Sequence, residues 1–156
     1  MNHEFFLRRA INLAKQHSKS GKNGPFGAVI VQNKQIIGEG WNQVVSRTDP
    51  TAHAEIMAIR QACQNINSHN LENSILYSSC EPCPMCLAAI YWAHIPQLIY
   101  ASDKKAAQKA GFDDDFIYQQ IALSITQRQL ASQQLLATEG IAVFQTWLDN
   151  PQRLPY

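Results

Sequence analysis

The sequence predicts an α/β layered domain with a mixed sheet, on three observations. Segments with strand patterning alternate with segments of helical periodicity, the arrangement that packs helices onto a sheet. The 156 residues match the length of one domain, about 100–150 residues, and suffice for a real core. Apolar residues make up 46% and the formal net charge is only +1, which excludes a disordered chain. Charged residues are few at 16%, and uncharged polar side chains (sixteen Gln and ten Asn, scattered) fill the difference. No internal repeat or interdomain linker interrupts the chain, so residues 1–156 are expected to form one domain.

Residues 4–19 read as an amphipathic helix, with Phe6, Ala10, Leu13 and Ala14 on one face and Arg8, Lys15 and Lys19 toward solvent. Gly21, Gly24 and Pro25 break it. The runs FGAVIVQ and QIIGEGW, joined by Asn33-Lys34, form a β-hairpin. After a polar loop, Asp49-Pro50-Thr51 signals a helix start, and Ala52 to about Asn67 carries helical periodicity through Ile56, Ile59 and Cys63. SILYSS is a strand, Pro84 to about His94 a helix, and QLIYA a strand. Residues 103–110 are helical, and Gly111 to Asp115 form a loop. A short helix, a strand near Gln133–Leu136 and a closing helix to about Asp149 complete the chain.

Several function classes are excluded. The N-terminus MNHEFFLRRA is charged and has no apolar run for a signal peptide. Pro82 to Ser102 is free of Asp, Glu, Lys and Arg over twenty-one residues, but Pro84, Pro96 and His94 interrupt it, so it is not a membrane span. A net charge of +1 supplies no overall field for nucleic acid or anionic lipid. A cytoplasmic location follows, with Cys63, Cys80, Cys83 and Cys86 reduced. Three of these cysteines share one seven-residue window, which in a reducing compartment suggests metal binding or catalysis.

Two motifs carry chemistry: His53-Ala54-Glu55 and Pro82-Cys83-Pro84-Met85-Cys86. Each opens a predicted helix. Cys83 at the cap, Pro84 as first helical residue and Cys86 three on bring both sulfurs to one helix end. The partial positive charge there favours thiolate. If the two helix starts face each other, His53, Cys83 and Cys86 offer one nitrogen and two sulfurs, a donor set for tetrahedral zinc with a fourth position open to water. Glu55, two residues from His53, points away from the ligand set but can reach the open position. There it would take a proton from the zinc-activated water and pass it to a leaving group.

Competing readings are weaker. Cys80-x-x-Cys83-x-x-Cys86 has the spacing of a ferredoxin cluster but lacks a fourth Cys before a Pro. A closed structural zinc site with Cys80 would leave Glu55 without a role, and Cys80 lies on the strand side of Pro82. His3, His17, His69 and His94 read as structural or surface residues, and Cys63 as core.

With these residues in place, the sequence resembles the zinc-dependent nucleobase deaminases, whose signature combines a His-x-Glu with a Pro-Cys-x-x-Cys. Within that superfamily it is most similar to the bacterial guanine deaminases of the small, cytidine-deaminase-like type. The similarity extends from the first helix to Tyr156. It rests on Gly24-Pro25-Phe26-Gly27-Ala28, Trp41-Asn42, Asp49 to Glu55, Cys80 to Cys86, Tyr91-Trp92-Ala93, Ala110 to Asp114 and the terminal Tyr156.

The resemblance implies a three-layer α/β/α sandwich with a mixed five-stranded sheet. It also implies a homodimer that exchanges its C-terminal segments, from about 138 to 156. One zinc ion per subunit would be held by His53, Cys83 and Cys86, with Glu55 as proton shuttle and Asp114 near the exocyclic amine. Asn42 would bond the purine edge, Phe26 would stack on the ring, and Ala54, Trp92 and Tyr156 would complete the substrate pocket. The residues alone leave simpler roles open: Asn42 as a turn residue, Phe26 as core, Asp114 as solvated charge, and the Pro-containing tail as a frayed end. The implied reaction is hydrolysis of guanine to xanthine and ammonia. Its rivals are tRNA adenosine deamination, deamination of cytosine or another aminoazine, and a zinc-stabilised binding module. From Gly111 onward the chain has two Arg, no Lys and five acidic residues, a net −3 that argues against a tRNA surface.

Overall fold

A computed structural model describes residues 2–155, which divide into two compact units at 118/119. The first unit opens with α1 (His3–Ser18), which Asn2 caps by accepting the Phe5 N–H. The hairpin β1 (Gly27–Gln32) and β2 (Gln35–Trp41) follows. Its two-residue turn places Asn33 at φ +51° and Lys34 at φ +65°, the left-handed pair that suits the twist of a hairpin. A short helix, α2 (Val44–Arg47), occupies the loop before α3 (Ala54–Ile66). Then come β3 (Ser74–Cys80), α4 (Pro84–Trp92), β4 (Gln97–Ser102) and α5 (Lys104–Lys109), which Asp103 caps. Helix α6 (Asp115–Ala122) begins in this unit.

The sheet runs β2-β1-β3-β4; β1 is antiparallel to both neighbours, while β3 and β4 are parallel and joined through α4. Alternate residues of the central strands supply two cores. Val29, Val31 and Tyr77 pack against Phe6, Ala10 and Leu13 of α1. Ala28, Ile30 and Leu76 pack on the opposite face with Ala54, Ala58 and Ala62 of α3 and Ile90 of α4. These are the three layers anticipated from the sequence.

Alanines line α3 because the backbone of β2 lies against it. A Cβ at Gly40 would strike the Ala54 carbonyl oxygen, and one at Gly38 the Ala58 carbonyl oxygen. Two glycines in QIIGEGW therefore set how closely the first turn of α3 approaches the sheet.

The second unit contains the rest of α6, a 3₁₀ turn (Ile125–Gln127) and α7 (Ala137–Asp149). The expectation of five strands is corrected here: the described residues form four. Among the described residues, 133–136 form no strand, and the left-handed Leu136 (φ +54°) turns the backbone directly into α7. Gln-Gln-Leu-Leu lacks the β-branched residues that favour an extended segment. Residues 121–155 are all exposed, including Ile141, Val143 and Phe144 of α7. Tyr156 lies outside the described residues. No helix among the described residues is long and apolar enough to cross a membrane.

Candidate metal and substrate site

His53 and Cys83 are the N-cap residues of α3 and α4. Both have extended backbone and neither side chain caps its own helix, so imidazole and thiol remain available to a ligand. Pro84 starts α4 without needing a backbone donor, and Cys86 follows on the first turn. His53 Nδ1 lies 3.5 Å from Cys83 Sγ and 3.6 Å from Cys86 Sγ. The three donor atoms all fall within 4.8 Å of one another. One imidazole nitrogen and two sulfurs at this spacing fit a single tetrahedral zinc ion, with a fourth position left for a non-protein ligand.

The electrostatics agree with a cation site. The Cys83 thiol is held down to about 4, chiefly by the hydrogen bond from Cys86 and also by His53. Cys86 is raised because it gives that bond and is buried. The Cys83 hydrogen bond raises His53. A thiolate beside a protonated thiol and an imidazole is the pattern expected where a cation can replace shared protons.

Glu55, the second residue of α3, is buried at 4% exposure and is not in the donor cluster. Burial pushes its carboxyl up, partly offset by the hydrogen bond that Ser78 donates. Cys80 also stays out of the cluster: its thiol is directed at the Asp103 carbonyl oxygen, 3.6 Å away. Cys80 thus lies outside the donor cluster that the described residues form.

These groups open into a cavity of about 440 Å³, ample for a small molecule. His53, Glu55 and Cys83 line it with Phe26, Asn42 and Asp114. Asn42 is buried, and its Oδ1 accepts the Gly24 N–H at 3.2 Å and the Val44 N–H at 3.4 Å. With the carbonyl end occupied, the amide NH₂ is the group left for a ligand. Asp114 is half-buried, and burial followed by the nearby Cys83 charge raises its carboxyl.

Two anticipated pocket residues lie apart from this lining. Ala54 is fully buried at the start of α3, beneath the β2 backbone. Trp92, at the end of α4, is 70% exposed and outside the cavity wall. Conversely, sequence reasoning assigned no role to Phe112 or Ser78. Phe112 follows Gly111 (φ +92°) and meets the Phe26 ring edge-on at 4.9 Å, completing an aromatic wall. Its place in Gly-Phe-Asp-Asp was the available signal. For Ser78 there was none beyond its inward position in SILYSS.

Residues 1–102 match the family model described as the cytidine and deoxycytidylate deaminase zinc-binding region. The chain is 48% identical to the guanine deaminase of Bacillus subtilis over 156 residues, covering 100% of both chains. The X-ray structure of that enzyme matches with a TM-score of 0.96 over 100% of this chain and 99% of the other. A structure of guanine deaminase from Nitrosomonas europaea matches at 27% identity and a TM-score of 0.65, over 70% of this chain and 63% of that one. The tRNA-specific adenosine deaminase of Haemophilus influenzae is 43% identical over 118 residues, 72% of this chain and 68% of its own. The converging His53, Cys83 and Cys86 lie inside the matched region, and the chain belongs to the cytidine and deoxycytidylate deaminase zinc-binding family.

Proposed function

We propose that this protein is a zinc-dependent guanine deaminase, converting guanine and water to xanthine and ammonia. The observation that carries this reading is the 48% identity to the Bacillus subtilis guanine deaminase across the full length of both chains. The match to the Haemophilus influenzae tRNA deaminase covers 72% of the chain. The net −3 charge of residues 111–156 also disfavours a polyanionic substrate.

His53, Cys83 and Cys86 would hold one zinc ion per subunit, and the chemistry it would supply is a water activated for attack on the amine-bearing ring carbon. Glu55 accepts a proton and delivers it to the adjacent ring nitrogen, and burial raises its carboxyl, the direction that favours carrying a proton. Asp114 assists delivery to the amine, which departs as neutral ammonia because the amide anion is far too basic to leave. Asn42 donates its amide N–H to the purine edge, and Phe26, backed by Phe112, stacks on the ring. Ala54 and Trp92 are retained as substrate contacts on the family resemblance alone.

The chain functions in the cytoplasm, where the ligand thiols stay reduced. Residues 1–156 act as one enzyme domain, assembled as a homodimer that exchanges the segment from about 138 to 156. Tyr156 then seals the pocket of the other subunit. The support is α7, whose Ile141, Val143, Phe144 and Leu148 are each more than half exposed and call for an apolar partner.

Ammonia release from guanine, adenine, cytosine and tRNA tests the reading. Activity on guanine is expected. Activity confined to adenosine in tRNA would replace it with the tRNA deaminase reading, and activity confined to cytosine with a pyrimidine deaminase.

A further inference from the structure

Ser78 Oγ donates a hydrogen bond to Glu55 Oε1 at 2.7 Å, with Ser78 only 1% exposed. An ionised carboxylate can only accept, so the hydroxyl hydrogen points to Glu55. Cys80 N–H donates to a lone pair of Ser78 Oγ at 3.4 Å, which leaves the hydroxyl hydrogen free for that bond. Ser78 is itself immobilised, since it pairs with Ala28 of β1 on one side and Tyr100 of β4 on the other.

The other β3 serines do something else. Ser79 Oγ accepts the Gly27 N–H, and Ser74 Oγ has no partner among the described residues. The terminal torsion of a Glu side chain is broad and roughly two-fold, so an unrestrained carboxylate would present either oxygen at varying angles. A short bond from the central sheet removes that freedom. It engages Oε1; the carboxyl's other hydrogen bonds come from its own backbone N–H and the Cys86 thiol, so Ser78 is the partner that ties it to the central strand.

We propose that Ser78 is a positioning residue of the deamination reaction, holding the Glu55 carboxyl by Oε1 in one orientation toward the site. This rests on Glu55 being the proton carrier, as argued under the proposed function. Ser78 lies in neither the cavity lining nor the donor cluster, so its effect is confined to the chemical step. Its removal leaves the base-binding residues Asn42 and Phe26 in place, so binding should change little.

The test is single-turnover deamination of guanine by the full-length zinc-loaded protein. Ser78→Ala is expected to slow this rate by about 10- to 100-fold, the scale of effect for a misaligned catalytic group. Zinc content should be unchanged, and KM should stay within about twofold because the binding contacts are intact. Ser78→Thr, which keeps the hydroxyl, should recover most of the lost rate. In a Glu55→Gln background, Ser78→Ala should cost less than about twofold further, because the two residues act as a unit. A wild-type rate for Ser78→Ala overturns the proposal, as does a full multiplicative loss in the Glu55→Gln background. Should Ser78→Thr fold poorly, the double variant decides. If Glu55→Gln alone turns over normally, the reading of Glu55 fails and this proposal with it. If Glu55→Gln is inactive while Ser78→Ala is fully active, only the role of Ser78 fails.

Discussion

His53 and Cys83, thirty residues apart in the chain, face each other from the N-caps of two helices with Nδ1 and Sγ 3.5 Å apart. Neither side chain caps its own helix. The two helix starts lie on the same face of the sheet and share one apolar cluster, through Ala54 and Ala58 of α3 and Ile90 of α4. That common packing makes the meeting of imidazole and thiol a property of the core.

One zinc ion per subunit should be bound, with two sulfur ligands, one imidazole nitrogen and one light ligand. X-ray absorption at the zinc edge checks this, and a third sulfur would mean that Cys80 leaves Asp103 to join the site. A strong chelator should abolish turnover, and zinc should restore it.

Glu55→Gln should keep its zinc and lose turnover by at least about 10²–10⁴, the range for a positioned acid–base group. Metal analysis alongside the rate separates the possibilities. Loss of zinc from the variant would make Glu55 a ligand or a structural group.

Gly40→Ala should destabilise the protein by about 3 kcal/mol or more, at the upper end of overpacking costs. The added methyl meets the Ala54 carbonyl oxygen on the first turn of α3, so the strain falls beside His53. Denaturant unfolding measures the loss, and zinc affinity should fall with it. An unchanged midpoint would show that α3 can move off β2 freely.

Deleting residues 153–156 should leave zinc and fold intact but lower kcat/KM for guanine at least about tenfold, by admitting bulk water to the site. Mixing the truncated chain with full-length Glu55→Gln should recover activity, because one mixed dimer combines an intact metal site with an intact tail. Full activity of the truncated chain alone would remove Tyr156 from the pocket.

No submicromolar binding to tRNA is expected at physiological salt, given the near-neutral net charge and the acidic segment after Gly111. Filter binding or anisotropy measures it. Tight binding, or inosine appearing in tRNA, would favour the alternative substrate.

Much of the site was legible in the sequence because its signals are local. Cys83, Pro84 and Cys86 declare a helix start and a pair of sulfurs within four residues. His53 and Glu55 lie on the opening of the preceding recognisable helix, and Asn33-Lys34 specifies a two-residue hairpin turn. The same local reading misplaced some boundaries. Asp49 and Thr51 promised a helix start, but Asp49 instead accepts the Thr51 N–H at 2.8 Å, and α3 begins at Ala54.

By itself, then, the sequence determined the layered α/β class, the order of helices and strands through β4 apart from the short α2 that it read as loop, and the donor set His53, Cys83 and Cys86. Each depends on residue types spaced within one turn, cap or strand. The tertiary structure alone decided that Cys80 turns to Asp103, that Ser78 grips Glu55, and that Phe112 backs Phe26. It also decided that residues 133–136 form no strand among the described residues. Each of these depends on which distant backbone lies alongside, and so on strand register and helix packing. A strand exists only where another supplies its hydrogen bonds, and a buried hydroxyl acquires a role only from the group placed opposite it.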